Sequence, residues 1–146
     1  FTSGGYPRNH VSAIKADGSG EVAWENISRV YVPSMIVYKD NIYAVMDNGN
    51  AMCWNSKTGK NMWRERLNRT TSASPVMVKD RIYAIDETGN FSVFSANPEE
   101  FKILAKNKIG DQAFATPVIC DSKIFVRVAE IIDGERQEFL YCIGEK

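Results

Sequence analysis

The segment Lys39-Asp40-Asn41-Ile42-Tyr43-Ala44-Val45 returns as Lys79-Asp80-Arg81-Ile82-Tyr83-Ala84-Ile85, and in weaker form as Asp121-Ser122-Lys123-Ile124-Phe125-Val126. The isoleucines of these copies stand 40 and 42 residues apart. Downstream of the first two copies, Asp47-Asn48-Gly49-Asn50 matches Glu87-Thr88-Gly89-Asn90, with the glycines again 40 apart. Upstream of each copy lies an apolar run preceded by small residues or proline, at Val32 to Tyr38, Ser72 to Val78 and Phe114 to Cys120. A further series aligns Ala13 to Trp24 with Met52 to Trp63, its tryptophans 39 apart. A period of 39–42 residues constrains the fold strongly. A unit of that size cannot bury its own apolar faces and must stack against copies of itself.

Within one period every apolar run has the character of a strand. Ser34 to Tyr38 and Asn41 to Met46 are short, rich in β-branched and aromatic residues, and separated by the polar pair Lys39-Asp40. Asp47 to Asn50 turns the chain into Ala51 to Asn55, since Asn and Gly tolerate the positive φ of a hairpin turn. Ser56 to Lys60 turns it again into Asn61 to Leu67. Helical spacing is not sustained anywhere, and the best candidate, Pro98 to Leu104, is too short. The expected fold is all-β, a β-propeller segment of four-stranded antiparallel blades. The remnant of one blade spans 1–27, with 6–27 supplying its last two strands; complete blades span 30–67 and 72–109. An incomplete blade at 114–143 supplies three strands, with a charged excursion from Ala129 to Glu138. The sum is about three and a half blades, whereas closed propellers have roughly four to eight. An open segment exposes strand edges, so the chain is expected to be the C-terminal half of a ring of about seven or eight blades, or to pair with a second copy that completes the ring.

Composition removes several classes of function. With 18 basic and 18 acidic residues the formal net charge is zero, so nothing draws the chain toward nucleic acid or an anionic membrane. No apolar run approaches the ~20 residues of a membrane-spanning helix, and Phe1 to His10 has no signal-peptide pattern. Cys53, Cys120 and Cys142 lie in apolar runs without C-x-x-C spacing, and buried free thiols are expected. The single His10 gives them no partner for a metal and is expected to line a channel or a blade edge.

Ala16-Asp17-Gly18-Ser19-Gly20-Glu21-Val22-Ala23-Trp24 and Asn55-Ser56-Lys57-Thr58-Gly59-Lys60-Asn61-Met62-Trp63 resemble the A-x-D-x-x-T-G-x-x-x-W signature of pyrroloquinoline quinone (PQQ)-type propeller repeats. That family includes quinoprotein alcohol dehydrogenases and the propeller lipoprotein of the outer-membrane barrel-assembly machinery. The resemblance covers nearly the whole chain and is nearest to the non-enzymatic PQQ-like repeat proteins of bacteria. The tail Leu140 to Lys146 is also similar to the ends of such chains. The resemblance implies that Gly20 and Gly59 make the turn before the last strand of a blade. It also implies that Trp24 and Trp63 lie flat against the neighbouring blade. Ser95 to Leu104 departs from the signature and has no tryptophan, so Phe101 or Ile103 is expected to fill the gap with a weaker contact.

A phosphate-binding reading of Thr58-Gly59-Lys60 fails because a P-loop needs G-x-x-x-x-G-K-[ST] and Asn55 to Thr58 supply no upstream glycine. A quinoprotein dehydrogenase would, by the resemblance, carry PQQ, Ca²⁺, an aspartate base and a disulfide between adjacent cysteines. The chain has no adjacent cysteines, and Asp47, Asp86 and Asp121 are dispersed by the repeat among turns. No cofactor is therefore expected, PQQ and calcium entering by family analogy alone. Asp47 to Asn50 lacks the twelve-residue loop and distal glutamate of a calcium hand. Asn26-Ile27-Ser28 and Asn68-Arg69-Thr70 match the glycosylation sequon. The remaining candidates are contact surfaces: the basic group Arg64, Arg66 and Arg69, and the excursion with Asp133, Glu135 and Arg136. The expected function is a non-catalytic binding or scaffolding module, its partner another protein or the remainder of its own propeller. The resemblance places it outside the bacterial cytoplasm. The alternative is a portion of a quinoprotein dehydrogenase.

Overall fold

The middle strands of the two complete repeats are mostly apolar at successive positions because both of their faces are covered. In the computed structural model, which describes residues 1–144, fourteen strands form four antiparallel sheets. The last two residues of the Leu140 to Lys146 tail lie outside the described residues. The first sheet holds β1 (Thr2–Gly4), β2 (His10–Ile14) and β3 (Val22–Asn26). The second holds β4 (Ile36–Tyr38), β5 (Asn41–Val45), β6 (Asn50–Asn55) and β7 (Asn61–Arg66). The third repeats it with β8 (Val76–Val78), β9 (Arg81–Ile85), β10 (Asn90–Ser95) and β11 (Ile103–Lys108). The fourth consists of β12 (Val118–Cys120), β13 (Lys123–Ile132) and β14 (Glu135–Ile143). Every sheet is a meander in which sequence neighbours are sheet neighbours, the blade architecture of a β-propeller.

Three apolar clusters fill the spaces between the four sheets. Along β5, Ile42 and Ala44 pack toward the first sheet with Val11, Met52 and Trp54. The alternating Tyr43 and Val45 pack toward the third sheet with Ile82, Ala84 and Phe94. Period-2 alternation therefore divides one strand between two cores, and the strand reads as a continuous apolar run. The outer strands have one or no covered face. All of β11 is exposed, and on β7 only Trp63 is buried.

Linkers between blades are fixed by carboxylates in the hairpin turns. Asp47 accepts the backbone N–H of Tyr31 at 2.8 Å and of Val32 at 3.2 Å. Asp86 is fully buried and accepts from the N–H of Arg69, the N–H and hydroxyl of Thr88, and the N–H and side-chain amide of Asn90. Burial pushes the Asp86 carboxyl up, but the donors from Asn90, Arg69 and Thr88 outweigh it and hold the group below its ordinary value. The linker also passes directly over Gly49, whose carbonyl accepts the N–H of Leu67 and Asn68. A Cβ on Gly49 would stand 1.9 Å from the Arg69 carbonyl oxygen. Small hydroxyl residues before the inner strands tie successive blades: Ser34 N–H donates to Ser74 Oγ at 2.9 Å, and Ser74 N–H to Thr116 Oγ1 at 3.0 Å.

Three expectations are corrected. The first sheet has three strands rather than two, because Thr2 to Gly4 pairs with His10 to Ser12. The excursion is regular: β13 and β14 pair without a break from Ile124↔Ile143 to Ile132↔Glu135, closed by a turn at Asp133-Gly134. Of the three thiols only Cys53 is buried, its pKa pushed up to about 11 by burial against the opposing hydrogen bond with Tyr43. Cys120 and Cys142 are exposed. On β14, Phe139 and Tyr141 pack toward the third sheet, so the alternating Leu140 and Cys142 point away from it.

Asp86→Asn is expected to lower the unfolding free energy at pH 7 by about 2 kcal/mol, as donors aimed at a carboxylate oxygen lose their acceptor. The folded-state carboxyl titrates below its unfolded value. Its contribution is therefore present above about pH 4 and lost as pH falls through the folded pKa. Urea denaturation at pH 7 and pH 3 should show a smaller acid-side loss in the variant than in the parent chain.

Candidate functional site

The turn before β7 is organised by Asn55, at the end of β6. Its Oδ1 accepts the N–H of Lys57 at 3.1 Å, the N–H of Thr58 at 3.0 Å and the Thr58 hydroxyl at 3.0 Å. Gly59 N–H donates to the Asn55 carbonyl at 2.9 Å. The donors that a phosphate would need are thus spent inside the turn, an Asx arrangement. Gly59 itself is in the left-handed region, with φ of 70°.

Trp24, on β3 of the first sheet, lies against this turn of the second. Its indole Nε1 donates to the Ser56 carbonyl at 2.9 Å, and a Cβ on Gly59 would stand 2.6 Å from ring atom Cδ2. Trp63, on β7, repeats the contact one blade further on: its Nε1 donates to the Asn97 carbonyl at 2.8 Å. Its ring centroid is 5.2 Å from that of Phe101 and 6.4 Å from that of Phe94 in an edge-on pair. Each indole therefore spends its polar handle on the backbone of the next turn and its face on the residue at the turn's end. Gly20 has the same positive φ, 73°, but nothing lies within 4 Å of its Cβ position. Phe101 does not substitute for a tryptophan. It receives Trp63 from the preceding blade; register gives the tryptophan position on β11 to the exposed Ala105, which pairs with Val93 as Trp63 pairs with Cys53, and Ile103 is 37% exposed.

The basic candidates separate in space. Cross-strand register sets Arg64 opposite Met52 and Arg66 opposite Asn50, and Arg66 Nη1 donates to the Asn48 carbonyl at 2.7 Å. Arg69 lies beyond the strand, in the linker, and lines a cavity with Lys106 and Lys108. In the hairpin, Asp133 and Glu135 are exposed at the tip. Arg136 Nε donates to Gln112 Oε1 at 2.9 Å and pairs with Glu138, which also pairs with Arg127 at 3.0 Å. The hairpin is thus tied to the linker one residue pair below its tip, at Arg136. His10 stands at the start of β2 with Nδ1 3.4 Å from the Arg8 carbonyl oxygen, its ring over Gly4. Among the described residues no three His, Cys, Asp or Glu side chains converge as metal ligands. Asp47 and Asp86 do not fit the calcium set of a quinone site, since their oxygens face backbone donors. Asn68 of the second sequon is buried. No helix of the described residues is long and apolar enough to cross a membrane.

The family model for the outer membrane protein assembly factor BamB matches residues 7–99. That is more than half of the chain, which therefore belongs to this family of PQQ-like β-propellers. Comparison with curated protein sequences finds no match. Among solved structures, BamB from Moraxella catarrhalis aligns at TM-score 0.60 and 13% identity, over 75% of this chain and 32% of that one. The quinohemoprotein alcohol dehydrogenase ADHIIG from Pseudomonas putida HK5 aligns at TM-score 0.66 and 14% identity, over 84% and 26%. A europium-containing methanol dehydrogenase aligns at TM-score 0.59 and 17% identity, over 72% and 22%. The chain spans a third or less of each of these proteins, and the likeness is one of fold.

Gly20 and Gly59 share a backbone conformation and differ in what lies on them. Gly20→Ala is expected to cost about 1 kcal/mol for the left-handed conformation alone. Gly59→Ala adds displacement of the Trp24 ring and is expected to cost about 3 kcal/mol. Equilibrium urea unfolding of the two variants measures the difference.

Proposed function

We propose that the chain is a non-catalytic binding or scaffolding module, a segment of a PQQ-like propeller that presents its loops and its long hairpin to a protein partner outside the cytoplasm. The observation that carries this reading is the use to which the chemically capable side chains are put. The carboxylates of Asp47 and Asp86 accept linker N–H groups. The Thr58-Gly59 turn is closed by Asn55 and covered by Trp24. The carboxylates of these turns are turned inward, toward backbone and neighbouring side chains. What remains open is surface, chiefly the hairpin tip from Ile131 to Glu135, whose residues are all exposed. The extracytoplasmic placement and the protein partner follow the description of the matching family, an outer membrane protein assembly factor.

The test is addition of PQQ and Ca²⁺ to the chain. Equilibrium dialysis, the quinone absorbance band and alcohol-dependent dye reduction are then followed. No saturable quinone binding and no dye reduction are expected. Saturable binding with turnover would overturn the proposal in favour of a dehydrogenase segment.

A further inference from the structure

A cavity of about 480 Å³ opens between the linker that leaves β7 and the strands β10 and β11. Its lining is rich in hydrogen-bond donors and carries no carboxylate: Asn68, Arg69, Ser92, Lys106 and Lys108 contribute the polar groups. Strand register explains the convergence. Lys106 pairs across the sheet with Ser92 and Lys108 with Asn90, so both lysines share the face of β10 that carries the buried Ser92. The Ser92 hydroxyl donates to Asn68 Oδ1 at 2.8 Å and so pins the Asn68 amide beside them.

Two observations independently point to an anion. First, none of Arg69, Lys106 and Lys108 takes part in an ion pair among the described residues, whose pairs lie elsewhere, although the Lys108 ammonium spends one of its three protons on the Thr88 carbonyl. The nearby Asp86 carboxylate is buried and occupied by donors from Arg69, Thr88 and Asn90. Second, Asn68 is 7% exposed, yet its Nδ2 has no acceptor. A buried amide donor without a partner is costly; Nδ2 has under 1 Å² of accessible surface, and a small turn of the Asn68 side chain toward the cationic groups would let an oxyanion there supply the missing acceptor. Clustered Lys and Arg with a neutral amide suit a doubly charged tetrahedral oxyanion, for which Lys acts as a point charge and Arg as a fork.

We infer that this cavity is a binding site for a doubly charged oxyanion of the phosphate type, held by Arg69, Lys106 and Lys108 with the Asn68 amide. The inference does not depend on the proposed scaffolding role. It is tested by titrating the ¹⁵N-labelled chain with inorganic phosphate at constant ionic strength, reading the Asn68 side-chain amide and the backbone amides of Arg69, Asn90 and Lys106. Saturable shifts confined to these residues are expected. Arg69→Ala and Lys106→Ala should each weaken binding about tenfold, the loss of a charge-assisted hydrogen bond. Lys57→Ala, which removes a cation paired with Asp40 in another blade, should leave binding unchanged. Glycerol 3-phosphate in a parallel arm identifies the source: saturation by the monoester assigns a headgroup or sugar phosphate, and saturation by inorganic phosphate alone assigns the free ion. Shifts that stay linear in concentration, an equal loss in Lys57→Ala, or acetate binding as tightly as phosphate would each overturn the inference.

Discussion

The contact on which the rest of this structure depends is an indole laid on the turn of the next blade. Trp24 and Trp63 are each anchored by one hydrogen bond to a backbone carbonyl, Ser56 in one case and Asn97 in the other. A flat ring with a directed N–H fixes both the spacing and the tilt of two sheets whose other contacts, aliphatic and aromatic, carry no hydrogen bond of this kind. The receiving turn must then have no side chain where the ring lies. Gly59 meets that condition under Trp24, and in the following blade Phe101 meets Trp63 with a ring instead. The same seat can be made by absence or by aromatic contact.

Once the sheets are set at this spacing, the remaining features follow. The middle strands of the two complete blades are buried between two neighbours, and the linker must cross from the outer strand of one blade to the inner strand of the next. Its backbone N–H groups leave water along that path and need acceptors. Asp47 and Asp86 supply them, and Gly49 leaves room for the crossing. The chemistry of the segment is therefore largely committed to joining blades. Its free polar groups collect where the linker and the outer strands diverge, around Arg69 and Lys106, and along the hairpin of β13 and β14.

Much of this was legible because the repeat exposes the same strand, turn and strand several times over. The 39-residue spacing of Trp24 and Trp63 points to the two rings, whereas of the two turn glycines only Gly59 lies under one, with nothing over Gly20. Thr2 to Gly4 has no apolar side chain and only one β-branched residue, so nothing in its composition marks the strand that pairs with β2. Cys142 looked buried from its apolar neighbours, but alternation along β14 turns it away from the third sheet. Asp-Gly flanked by strand-like residues, at Asp133-Gly134, was the signal that could have shown a hairpin in the charged excursion. The cavity could not be read from the sequence, since Asn68, Ser92 and Lys106 come from separate elements and share no motif. Their meeting is set by strand register and by where the linker crosses.

The most direct test of the indole contact is a double-mutant cycle between Trp63 and Phe101, using Trp63→Leu, Phe101→Leu and the pair, with unfolding free energies from urea titration. If the ring of one blade is seated on the ring of the next, the two substitutions should couple by about 1 kcal/mol. Additivity within about 0.3 kcal/mol would contradict the account, and the blades would then be held by the rest of the apolar cluster.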